Sequence, residues 1–421
     1  MVPDGWEILT DPFPDGAEDV CACLWMILRD LQQWMSTARR ERLFGNRTHK
    51  TRARMLRVMR IAPALTPALR VFIRLRADPM SVPATELGAA CYRVWSWAEG
   101  ESLLGTAAHY AEVAAYLHSD NASYANDAGW ACRRCSLYER AGVWYQRAFG
   151  LAIGFKNRHE VVRALLGRGA VYKDLGRTEE AREFYDRATR RAVNTGRRRQ
   201  AAVARHYIFA LEAERGSFDE GLDAVREALN LYPIYDRRVP YLAHDYAFLL
   251  MRHRYFSAAL ALLEKLAPAI TKPEERVLVQ SAIARAAAAV GRFEHSRAAA
   301  QYALETGKIY PEYAHASYVH LAQALRYAGE WDSAAEYVRR AEQMARDLRD
   351  AEVERVASEV QVEIAARIPP ERENPAPFPH AVATIDKMFS IRLRRWLAPD
   401  RRGTEANTTA TNAADRERRR L

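Results

Sequence analysis

Cys132-Arg133-Arg134-Cys135 is a CxxC, and Cys21-Ala22-Cys23 is a second close pair. Such spacings hold zinc or exchange disulfides. A structural zinc needs four tetrahedral ligands, and one CxxC supplies two; the second pair lies far up the chain. A redox CxxC belongs at a helix start that follows a strand, and no strand pattern appears. The expectation is therefore buried free thiols, five of them, kept reduced in a cytoplasmic setting. The eleven histidines are scattered: His49, His109, His118, His159, His295 and His315 form no HExxH or other metal-ligand spacing. No glycine-rich phosphate loop, nucleophile elbow or paired-carboxylate signature occurs. The chain reads as a binding protein, not an enzyme, with no metal and no cofactor.

The elements that carry these residues repeat. In Gly169-Ala170-Val171-Tyr172-Lys173-Asp174-Leu175-Gly176-Arg177-Thr178-Glu179-Glu180-Ala181, followed by Tyr185 and Ala188, small and aromatic residues alternate at the spacing of two crossing helices. The closing Ala position recurs as Ala148, Ala188, Ala228, Leu266, Ala303 and Ala341, every 37 to 40 residues. Gly129, Ala141 and Tyr145 occupy the same slots one unit earlier. Ala284 and Ser296, then Ala322 and Ala334, occupy them later. Between the two helices stand Gly176, Gly216, Gly291 and Gly329, where a left-handed residue ends a helix without a Cβ clash. Ser217 with Glu220 forms a candidate capping box, and Thr178 is a weaker candidate cap. The aromatics after the turns (Phe218, Phe256, Phe293, Trp331) are expected to pack on the next hairpin.

This pattern resembles the tetratricopeptide repeat (TPR), whose small, aromatic and Ala positions recur over 34 residues. The resemblance implies an all-α, right-handed TPR-like solenoid of six or seven helical hairpins with a C-terminal capping helix. No hairpin buries its apolar face alone, so each supplies core to its neighbours. A composition of 49% hydrophobic and 28% charged residues over 421 positions is that of a globular chain.

The organisation reads as an acidic N-terminal tail (1–16), a basic helical region (17–83), TPR-like repeats (84–349), a capping helix (350–367), a proline-rich linker (368–384), a basic amphipathic helix (385–397) and a disordered tail (398–421). Six acids and no Lys or Arg in the first twenty residues argue against a secretory leader, and no apolar run is long enough to cross a membrane; the cytoplasm is the expected setting. Between Arg29 and Arg76, thirteen basic residues face Asp30 and Glu41, a net of +11 against +10 for the whole chain. That charge would suit nucleic acid. No recognition-helix pattern accompanies it, so a solvated helix face is the preferred reading, with Leu43, Phe44, Met55, Leu56 and Met59 packed inward. The helix at 385–397, with Ile385, Met388, Phe389, Leu393, Trp396 and Leu397 beside Lys387, Arg392, Arg394 and Arg395, could lie on an anionic membrane surface or dock on a protein. Folding back onto the repeats is the preferred reading.

In a TPR stack the first helix of each hairpin lines a concave groove. The resemblance then places Asn126, Trp130, Arg133, Leu166, Ala170 and Lys173 on the inner face of the earlier repeats. His206, Ala210, His244, Phe248, Met251, Ser281, Arg285, Val319, Gln323 and Arg326 follow. Basic groups, amides and rings suit an extended peptide or protein segment with acidic side chains or a free carboxylate. The family's carboxylate clamp is not matched, since only Asn126 falls near one of its slots. The sequence thus reads as an interaction scaffold or adaptor. The alternatives are a TPR-type sensor that binds a signalling peptide and controls a transcription factor or DNA, and an adaptor held at a membrane by its terminal helix.

Overall fold

The structure, a computed structural model, describes residues 19–40, 43–44, 48–101, 103–309, 314–348, 350–374 and 379–397. The expected acidic tail at 1–16 and the tail at 398–421 lie outside them. Among the described residues there are nineteen α-helices and no strand, in two compact units divided after Arg197.

The first unit holds α1 (Asp19–Ser36), α2 (Thr48–Ile61), α3 (Thr66–Ala77) and three hairpins: α4 (Ala84–Gly100) with α5 (Leu104–Leu117), α6 (Ala122–Arg134) with α7 (Tyr138–Gly154), and α8 (Arg158–Asp174) with α9 (Thr178–Asn194). Helix crossing is close because glycine faces tyrosine. The Tyr145 ring sits between Gly129 and Gly167, and the Tyr185 ring covers Gly169. A Cβ at Gly129 would stand 2.9 Å from the Tyr145 ring, and one at Gly167 would overlap it. Ala141, Ala148, Ala181 and Ala188 are fully buried, as their slots require. Helices α1–α3 share one apolar core with the first hairpin, joining Leu24, Leu31, Met55 and Phe72 to Leu87, Val94 and Tyr110. The Tyr110 hydroxyl donates to the Leu24 carbonyl at 2.8 Å. Leu43, Phe44 and Met59 pack on this core. Leu56 does not; it is 43% exposed, because it shares a face of α2 with the exposed Arg52 and Arg60.

The second unit holds four hairpins: α10 (Arg198–Arg215) with α11 (Phe218–Leu231), α12 (Val239–Arg252) with α13 (Phe256–Leu266), α14 (Pro273–Ala289) with α15 (Phe293–Gly307), and α16 (Ala314–Tyr327) with α17 (Trp331–Leu348). Helix α18 (Ala351–Ala365) covers α16 and α17, burying Ala357, Val360 and Ile364. Helix α19 (His380–Trp396) folds back onto α11, α12 and α13. It begins at His380, earlier than the expected 385, because extended Pro379 stands at its N-cap. Val382, Ile385, Phe389 and Leu393 are buried against the hairpins, and Phe389 stacks on Tyr246 at 5.5 Å. Arg392 closes the end of α11 by donating to the carbonyls of Leu229, Tyr232 and Pro233. The face that could have met a membrane is thus occupied within the chain.

The hairpin turns explain both the glycines and the exceptions. Gly176 has φ +72°, and the bonds Gly176 N–H to Lys173 O and Arg177 N–H to Tyr172 O close a left-handed helix end. Arg254 takes the same conformation, φ +63°, without glycine's freedom. The Ser217 capping box is not formed: Ser217 stands at the N-cap without a side-chain bond. Thr178 is likewise not the cap, since Arg177 holds that position. Phe218 stacks on Tyr255 of the next hairpin at 5.4 Å, whereas Phe293 is 40% exposed and does not pack as expected.

Gly167→Ala is expected to lower stability by about 1–3 kcal/mol through overpacking on Tyr145, measured as a fall in calorimetric Tm; an unchanged Tm would refute the glycine–tyrosine account. Helix α19 gives a pH prediction. Burial raises the Asp386 carboxyl from 3.8 to about 6, against the opposing pull of Lys265 and the Tyr246 hydroxyl. The folded state therefore holds this proton more tightly than the unfolded one, and the contribution to stability falls as pH rises from about 4 to about 6. Asp386→Asn should raise Tm above that window and leave it unchanged below; equal effects on both sides would contradict it.

Candidate functional site

The inner-face register brings the expected residues onto the first helices of their hairpins, and neighbouring helices determine what each can do. In the first unit two of them, Asn126 and Arg133, hold hairpins together. Asn126 on α6 is buried, and its amide donates to the Glu160 carbonyl at 3.1 Å and carboxylate at 2.8 Å. Arg163 on α8 extends this network to Glu160 at 3.0 Å and Asp127 at 2.6 Å, and the Tyr92 hydroxyl on α4 donates to Asp127 at 3.3 Å. Burial raises the Asp127 carboxyl, and the Arg163 guanidinium opposes that rise. Arg133 pairs with Asp174 at 2.7 Å, again from α6 to α8. Trp130 is half-buried, edge-on to Trp95 at 6.4 Å, with the Arg134 guanidinium over its ring at 5.2 Å. Lys173 is half-buried near the end of α8. Asn126 and Arg133 are thus corrected from solvent-lining groups to ties between hairpins.

Cys132 is fully buried, and burial pushes its thiol well above the ordinary value. The Cys135 thiol donates to the Leu104 carbonyl. Among the described residues no three His, Cys, Asp or Glu side chains are grouped to hold a metal ion.

The second unit differs. On α10, His206 is buried; its Nε2 meets Asp245 at 2.9 Å and its Nδ1 meets the Tyr232 hydroxyl at 3.2 Å. His244 Nδ1 approaches the same carboxylate at 3.5 Å. Burial would raise the Asp245 carboxyl, but bonding to His206 and His244 holds it well below its usual range. The Phe248 ring lies against His244 at 4.7 Å and His320 on α16 at 4.8 Å. Arg285 on α14 completes the cluster. Burial lowers its pKa, and the neighbouring Arg326 charge acts in the same direction. Arg326 is neutralised by Glu363 at 2.6 Å and also donates to the Ile368 carbonyl at 3.0 Å; it is buried, not solvent-lining. Arg285 makes no ion pair among the described residues, and its Nε is a buried donor without an acceptor. His244 Nε2, His320 Nδ1, Gln323 Oε1 and Arg326 Nε are buried polar atoms in the same condition. Burial, with Arg285 and His244 nearby, drives His320 well below its normal pKa, leaving a neutral ring.

Buried polar groups are ordinarily paired; unsatisfied atoms gather on α12, α14 and α16, and Asn126 Oδ1, Arg133 Nε and Gln200 Oε1 are further instances. His320 was not visible from the inner-face register; it lies next to Val319, one of the register positions, and reaches the cluster through Phe248. No signal in one sequence would have selected it.

No family model matches the sequence, and no curated protein does. Among solved structures, the chain is similar to the apo form of the quorum sensor NprR from B. thuringiensis (10% identity, TM-score 0.49, covering 78% of this chain and 89% of that one). It is also similar to the Rap conjugation gene regulator of plasmid pLS20 in complex with the Phr* peptide (11%, 0.40, 81% and 96%), and to a tetratricopeptide repeat protein from Parabacteroides merdae (16%, 0.39, 80% and 99%). The fold is an all-α TPR-like array of helical hairpins.

A lone desolvated cation costs stability that a nonpolar residue of similar shape would not. Arg285→Met is expected to raise the unfolding free energy by about 1 kcal/mol, whereas Arg326→Met should lower it by stranding Glu363 and the Ile368 carbonyl. Chemical denaturation of both variants checks this; destabilisation by Arg285→Met would show that Arg285 is a structural tie.

Proposed function

We propose that this chain is a protein- or peptide-binding scaffold, and that in its second unit the inner face of α12, α14 and α16 receives an acidic side chain or free carboxylate. The observation that carries this reading is Arg285, a half-buried guanidinium that makes no ion pair among the described residues and whose Nε is a buried donor without an acceptor. A carboxylate reaching it would form a charge-assisted, bidentate-capable bond. Phe248 offers the same ligand an apolar ring, and Gln323 and His320 offer hydrogen-bonding atoms that nothing now uses. Because these groups stand on packed helices, little ordering is required on binding. The mechanism is recognition without bond making.

An array of extended peptides graded in acidic content, probed with purified protein, tests it. Arg285→Ala should weaken capture of the acidic peptides by about tenfold or more, the loss of one charge-assisted contact. Arg297→Ala is the control, its side chain being exposed and paired only with Glu294 within α15, and should leave capture unchanged. Equal effects of the two variants, or capture indifferent to acidic content, would overturn the proposal.

A further inference from the structure

Between α18 and α19 the chain does not simply span a gap. Arg367, with φ +49°, turns it out of α18, and residues 368–374 then run without regular structure over the ends of two hairpins. They are held there chiefly through their backbone. Arg326 donates to the Ile368 carbonyl at 3.0 Å, the Tyr327 hydroxyl donates to the Glu371 carbonyl at 2.7 Å, and the Asn374 amide N–H donates to the Arg254 carbonyl at 2.9 Å. Two side chains also take part, the Asn374 amide donating to the His253 carbonyl at 3.4 Å and Glu373 supplying the charged contact. The Glu373 carboxylate accepts from the Ser257 N–H at 3.1 Å, in the first turn of α13, where unpaired N–H groups and the helix dipole favour an anion. The Tyr327 ring packs against buried Phe256 at 6.0 Å, which brings the end of α16 and the start of α13 onto one surface.

This is how a protein reads an extended peptide: main-chain bonds supply affinity and a pocket for one side chain supplies choice. The contrast with the flanking helices matters. Residues 366–374 bury no apolar side chain, and Ile368 itself is 45% exposed, whereas α18 and α19 are anchored by Ile364, Val382, Ile385, Phe389 and Leu393. The segment can leave its track while both anchors stay seated, since few apolar contacts oppose local opening.

We infer that residues 368–374 are an internal ligand on a peptide-docking track formed by Arg326, Tyr327, Arg254 and Ser257, and that the track accepts in trans an extended acidic segment which displaces it. The partner fitting this surface has free main-chain carbonyls and a Glu side chain to seat at the start of α13. None of the hydrogen bonds involves Arg285, so the inference goes beyond the inner-face reading, although the track shares Arg326 with that cluster and Tyr327 and Glu371 lie near Arg285. Tethering at both ends gives the internal segment a high effective concentration, so a trans ligand competes poorly until the segment is loosened.

The probe is a fluorescent, end-blocked peptide with the sequence of residues 366–374. It is titrated into the intact chain and into a variant in which 368–374 is replaced by Gly and Ser at equal length. The variant should bind it with a Kd lower by about tenfold or more than the intact chain, and a Glu373→Gln peptide should bind the variant several-fold more weakly. A second measurement removes dependence on that replacement. In the intact chain, Glu373→Gln should speed amide exchange at Ser257 and improve binding of the unaltered peptide. Equal binding to the intact chain and the variant, binding to neither, or an intact-chain Glu373→Gln protein unchanged in exchange and binding would each overturn the inference.

Discussion

Everything in these hairpins depends on how closely two helices can cross, a distance set by small residues at the crossing and, in the first unit, by glycine facing tyrosine. Tyr145 between Gly129 and Gly167 shows the constraint at its tightest. One ring serves both the crossing within a hairpin and the packing of the next hairpin, so neither can shift without the other. Such crossings leave little void and little tolerance, and they fix where every inner-face residue points.

That rigidity has a consequence for polar chemistry. Inner-face side chains come within bonding range of the next hairpin, and in the first unit they are used as ties: Asn126 to Glu160, Arg133 to Asp174, Arg163 to Asp127. These bonds pin neighbouring hairpins in register, at the cost of surface available to a ligand. In the second unit the same positions are only partly consumed. His206 and Arg326 are tied down, whereas Arg285, Gln323 and His320 hold buried atoms without partners.

The repeat, its helical hairpins and their left-handed turns were legible in the sequence because each depends on residues close together in the chain. Gly176, Ala181, Tyr185 and Ala188 announce a crossing by size and spacing alone. The inner-face register came instead from the resemblance to the tetratricopeptide repeat. What those residues touch was not legible, since the partners of Asn126 and Arg326 come from another hairpin and from α18 and its following segment. Local rules also failed where tertiary packing prevailed. Ser217 has the composition of a cap and makes no cap bond, while Asn121, Asn157 and Asp350 do cap their helices. The destination of α19 showed only as an amphipathic face; its seat on α11–α13 requires knowing which hairpins leave room.

The central claim is that ligand enters at the α12–α14–α16 inner face. The most direct measurement is amide hydrogen exchange of the intact chain with and without a saturating acidic peptide selected for binding. The account predicts new protection centred on α14 and α16 around Arg285 and Gln323, with α15 and α17 unchanged. Protection confined to α15 and α17, or to α1–α3, with the inner face unaltered, would contradict it.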